Sequence, residues 1–94
     1  MTVAETIRQK LTSAFAPTEL VVEDESARHA GHAGARPGGQ THFNVRIVSD
    51  GFAGLSRVER QRRVYAALAL ELRPEGIHAL SLTTLTPAEV WQEH

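Results

Sequence analysis

Residues 41–72, THFNVRIVSDGFAGLSRVERQRRVYAALALEL, change their apolar period partway along, and that change decides the fold. In residues 43–48 the apolar Phe43, Val45 and Ile47 alternate with Asn44 and Arg46. Side chains of a strand point to opposite faces with period two, so the segment reads as a half-buried strand. Ser49, Asp50 and Gly51 mark a turn, and Phe52-Ala53-Gly54 follows as a compact knot. Ser56 with Glu59 three residues on then signals a capping box at a helix start. The spacing of Val58, Tyr65, Leu68 and Leu72 predicts the buried side of that helix, with Arg60 and Arg63 opposite.

Working outward, residues 2–15 read as a first helix. Thr2 and Glu5 suit its start, Ile7, Leu11, Ala14 and Phe15 share a face, and Pro17 stops it. Residues 18–25 form a strand with Leu20 and Val22 on one face and Val21 and Glu23 on the other. Residues 26–40, SARHAGHAGARPGGQ, hold four glycines, a proline and no large apolar residue, the composition of a flexible loop. On the far side, Arg73-Pro74-Glu75-Gly76 closes the long helix. Residues 77–83 form a third strand with His78, Leu80 and Leu82 on one face, and Thr86, Pro87 and Glu89 start a short last helix that Val90 and Trp91 pack down.

The bulk composition narrows the function. Ninety-four residues make one domain, 1–94, and 41% hydrophobic with 22% charged residues is ordinary for a water-soluble fold. No apolar run spans a bilayer, and Glu5, Arg8 and Lys10 interrupt the N-terminal pattern, so neither a membrane span nor a secretory signal is expected and the cytoplasm is the default address. A net charge of −1 argues against a generic polyanion binder. With no cysteine the chain has no disulfide, thiol nucleophile or thiolate metal site of its own. No Ser-His-Asp order, nucleotide fingerprint or paired carboxylates point to an enzyme.

What chemistry remains lies with histidine and arginine. His29 and His32 sit three apart in the loop, which is a weak metal signal by itself, and His78 stands at a strand start after a Pro-Glu-Gly turn. On spacing alone His78 reads more readily as a structural histidine than as a ligand, while His29 and His32 read equally well either way. Arg57, Arg60, Arg62 and Arg63 gather near the start of the long helix, where cations oppose the helix dipole and call for an acidic neighbour or partner. Gly51 and Gly54 superficially frame the GxxG loop of nucleic-acid-binding KH domains, but Phe52 between them reads as a core plug.

The pattern THFxVxIVSxxFxGLSxVxRxRxVYxAL, followed by Ile77-His78-Ala79-Leu80, resembles the BolA family over nearly the whole chain. The resemblance implies an α+β, class II KH-like domain: helix, strand, strand, a short helical turn, a long helix, strand, short helix. Its first two strands are expected antiparallel and its third parallel to the second. The resemblance also implies an adaptor, not an enzyme, that binds a monothiol glutaredoxin and shares a [2Fe-2S] cluster with it and its glutathione. Alone, such a chain is expected to be a monomer without cofactor. His78 matches the family's ligand position, and the second ligand falls to His29, with His32 in reserve, since the chain has no cysteine. Gln61 replaces a histidine common in the family, the loop is longer than in many relatives, and His42 reads as structural. The family's other associated role is a DNA-binding transcriptional regulator of stress response and cell morphology, for which Arg57, Arg60 and Arg63 are the candidate phosphate contacts.

Overall fold

The structure is a computed structural model that describes residues 2–25, 42–72, 77 and 79–92. Helix α1 (Val3–Phe15) leads into strands β1 (Glu19–Asp24) and β2 (His42–Val48). A 3-10 turn (Asp50–Phe52) precedes α2 (Arg57–Ala67), then come β3 (Ala79–Leu85) and α3 (Pro87–Gln92). The sheet order is β1-β2-β3, with β2 central, antiparallel to β1 and parallel to β3. A parallel pair needs a crossover between its strands, and the 3-10 turn and α2 supply it. The expected element order and strand directions are all present. The expected flexibility of 26–40 and the helix-closing role of residues 73–76 lie outside the described residues.

Local sequence explains most element ends. Thr2 Oγ1 accepts from the Glu5 amide at 3.1 Å and caps α1, whose far end turns through Ala16 in a left-handed conformation. Ser49 is fully buried: its hydroxyl donates to Phe15 O at 2.7 Å and accepts from the Gly51 amide at 3.0 Å, tying the end of α1 to the 3-10 turn. Gly54 holds a φ of 78°, a backbone state that side chains disfavour. Phe52 is wholly buried, 5.1 Å from the Phe15 ring, as the core-plug reading expected. The alternation of β2 holds too, with Phe43, Val45 and Ile47 buried under Ile7, Leu11, Val64 and Leu68.

Four expectations about the second half need correction. The buried line of α2 runs through Arg60, Val64 and Leu68, while Val58 is 56% and Tyr65 40% exposed. The helix ends at Ala67, with residues 68–72 in turns held by bonds such as Leu72 N–H to Leu68 O at 3.1 Å. Trp91 is 81% exposed and does not pack α3 down, while Val90 is half-buried and no residue of α3 is buried fully. β3 also runs two residues further than expected, burying Thr84.

Candidate functional site

The altered buried line of α2 and the fastening of α3 both turn on Arg60. Its side chain is inside the protein, beneath α3, at 6% exposure. A buried guanidinium is costly unless its N–H groups find acceptors. Here Nε donates to Leu55 O at 3.0 Å, and Nη1 donates to Thr84 O at 3.0 Å and Glu89 Oε1 at 2.7 Å. The group also lies 5.9 Å from the centre of the Phe52 ring, within cation–π range. Glu89 in turn accepts from the Thr86 amide at 2.7 Å while Thr86 Oγ1 accepts from the Glu89 amide at 3.3 Å, a complete capping box. The bond from Arg60, joined by the Thr86 amide, holds the Glu89 carboxyl down at about 2. Thus α3 is fastened by an ion pair and a cap, with Trp91 left in solvent.

Of the arginines nominated as phosphate contacts, Arg57 and Arg63 are on the surface and Arg60 is not. Arg60 spends its donors inside the chain and is not available to a phosphate, contrary to the expectation from sequence. Arg62, 73% exposed in its side chain, joins Arg57 and Arg63 on the surface instead. Glu59 caps through its amide, which donates to Ser56 Oγ at 3.2 Å, while its carboxylate sits 3.8 Å from Arg62 and 3.6 Å from Arg63. That single carboxylate offsets part of the charge of three surface arginines.

The nominated ligands His29, His32 and His78 lie outside the described residues. What the sheet fixes is where their chain neighbours go. Glu25, the last described residue before 26–41, donates its amide to His42 O at 2.8 Å, and His42 in turn pairs with Ala79. The two ends of the loop segment and the residue after His78 therefore meet at one end of the sheet. A cleft of about 160 Å³ opens there, lined by Glu25, His42, Phe43, Asn44, Ala79 and Ser81. His42 is half-buried in its wall. Among the described residues no three His, Asp or Glu side chains form a metal-binding group.

Sequence reading missed Glu89 as the partner of Arg60 and Thr84 as its backbone acceptor. The residues of the cap, Thr86 and Glu89, were legible, but the Oε1 that accepts the Thr86 amide has a second lone pair, and nothing local shows that it meets Arg60.

This architecture is shared with known proteins. A family profile described as BolA-like protein matches residues 11–89. Protein BOLA1, chloroplastic, from Arabidopsis thaliana is 51% identical over 88 residues, covering 92% of this chain and 54% of that protein. SufE-like protein 1, chloroplastic/mitochondrial, from the same plant is 53% identical over 88 residues, 89% of this chain and 24% of that protein. The chain thus spans about half of the first and about a quarter of the second. The DNA-binding transcriptional regulator BolA of Escherichia coli is 44% identical over 92 residues, covering 98% of this chain and 82% of that protein. Among solved structures, BolA1 from Arabidopsis thaliana superposes with a TM-score of 0.83 at 49% identity, covering 95% of this chain and 96% of that one. Matched by the profile over residues 11–89, and in fold and sequence over nine-tenths of its length, the chain belongs to the BolA-like family.

Proposed function

We propose that this chain is an adaptor that binds a monothiol glutaredoxin and contributes two histidine ligands, His78 and His29 with His32 in reserve, to a shared [2Fe-2S] cluster. On this reading it is not an enzyme, and the cluster is cargo passed or sensed between the two proteins. Family membership supports the reading, and the observation that carries it is the meeting of Glu25, His42 and Ala79 at one end of the sheet. Every nominated histidine is tethered to that meeting point by the chain itself. The donor set suits the cargo: imidazole in place of thiolate at one iron raises a cluster's potential, and neutral imidazole makes ligation acid-sensitive.

The test is the visible absorption and circular dichroism of the chain mixed with a monothiol glutaredoxin, iron, sulfide and glutathione. We expect His78→Ala to abolish the histidine-ligated spectrum, His29→Ala to weaken it, and the His29→Ala/His32→Ala pair to remove it. Binding to the apo-glutaredoxin survives in all three, since protein surface holds that encounter. An unchanged spectrum in His78→Ala refutes the assignment.

A second reading, DNA-binding transcriptional regulation, draws on the name of the Escherichia coli relative and on the surface arginines Arg57, Arg62 and Arg63. It ranks below the first because the net charge is −1 and Arg60 is committed to the interior.

A further inference from the structure

The two outer edges of the sheet are treated very differently. Along β1 the backbone groups of Val22 face away from β2, and Arg8 Nη2 covers its carbonyl at 3.4 Å. That strand also carries Glu19, Glu23 and Asp24, and charge on an edge strand discourages further pairing. β3, ALSLTTL, carries no charge and no proline. Ser49 donates its amide to Leu85 O, so Leu85 faces β2. Backbone direction alternates along a strand, so Ala79, Ser81 and Thr83 also face β2 while Leu80, Leu82 and Thr84 direct their N–H and C=O outward. Arg60 takes the Thr84 carbonyl. Among the described residues the outward groups of Leu80 and Leu82 have no such cover.

The helix above this edge points the same way. Helix α1 packs on β1 and α2 on β3. Val64 and Leu68 are buried against the sheet, and Ala67 lines a cleft with Gln9, Lys10, Ser13 and Ala14 of α1. At 3.6 residues per turn, Val58 and Tyr65 fall on the flank opposite Ala67, beyond β3. Both are exposed apolar residues, and by the same spacing the exposed Arg62 shares their flank. A second copy of this chain is a poor occupant, because a two-fold contact would bring the Arg62 flanks of both copies together.

We infer that the β3 edge around Leu80 and Leu82 is a docking site for an extended acidic segment of a partner protein, added as a fourth strand. Its backbone would pair with Leu80 and Leu82, its apolar side chains would meet Tyr65 and Val58, and its carboxylates would meet Arg62. Strand addition of this kind draws affinity from main-chain bonds and specificity from alternate side chains. Arg60 at Thr84 sets the far limit of the added strand. The inference does not depend on the histidines or on a cluster.

The probe is a labelled synthetic peptide of about ten residues with alternating valine and glutamate, a length that matches an ordinary strand. Binding is followed by fluorescence anisotropy, and hydrogen exchange of the full chain is read amide by amide with and without peptide. The expected result is about tenfold slower exchange at Leu80 and Leu82, about tenfold weaker binding after Arg62→Glu or with lysine replacing glutamate in the peptide, and none with an N-methylated peptide. The proposal is overturned if the peptide does not bind at millimolar concentration, or if the N-methylated peptide binds equally. Protection at Leu20 or Val22 in place of Leu80 and Leu82 overturns it as well. A free chain that sediments as a dimer with those two amides already protected assigns the edge to a second copy and also overturns it.

Discussion

Replacing Glu89 with glutamine preserves the shape of Arg60's partner and removes its charge. The carboxyl is held at about 2 instead of the ordinary 4.5, chiefly by the Arg60 hydrogen bond and then by the Thr86 amide. At about 1.4 kcal/mol per pKa unit that depression corresponds to roughly 3 kcal/mol. The Glu89 side chain is 37% exposed, so solvent screens part of it, and about 1–2 kcal/mol is the expected cost of Glu89→Gln. The pH dependence follows from the sign. A carboxyl depressed in the folded state stabilises fully above its unfolded value of 4.5 and ceases to do so as pH falls towards about 2. Urea unfolding at pH 7 should therefore show the 1–2 kcal/mol gap between the wild type and the variant. The gap should stay constant down to about pH 5.5 and close on further acidification. The companion Arg60→Ala leaves the Leu55 and Thr84 carbonyls without their donor and should cost more, about 2–4 kcal/mol. A gap that is absent at pH 7, or one that persists unchanged at pH 2.5, refutes the view that this ion pair fastens α3.

Three further outcomes are expected. Phe52→Ala empties a fully buried aromatic site and should cost about 3–5 kcal/mol in urea unfolding; a wild-type midpoint would reopen the Gly51–Gly54 loop as a contact surface. Trp91→Ala removes a side chain that is 81% exposed and should change stability by less than about 0.5 kcal/mol, where a loss of several kcal/mol would show that α3 packs through Trp91 after all. If DNA is bound, removing Arg57 or Arg63 should each lower the salt dependence of duplex affinity by about one, whereas an Arg60 variant that still folds should leave it unchanged; tight sequence-selective binding at physiological salt would reverse the ranking of the two functions.

Much of this fold was legible because its determinants are local. The alternation of Phe43, Val45 and Ile47 needs nothing but the pleat of a strand, and Thr2, Ser56 and Thr86 announce helix starts because a capping hydroxyl reaches an amide only three residues away. Family membership was legible for a related reason, since spaced residues over the central segment agree together with Ile77 and its successors. The buried face of α2 was not legible. The spacings 58-65-68-72 and 60-64-68 both fit a helix, and an apolar count favours the first because it scores arginine as surface. The second wins because Leu55, Thr84 and Glu89, from 5 to 29 residues away along the chain, converge on one guanidinium and satisfy it. The same holds for Trp91, whose exposure follows once α3 is fastened through Glu89. For the site, sequence supplied the histidines, while the sheet alone decided that Glu25, His42 and Ala79 share one end, because strand register is a contact between segments far apart in the chain.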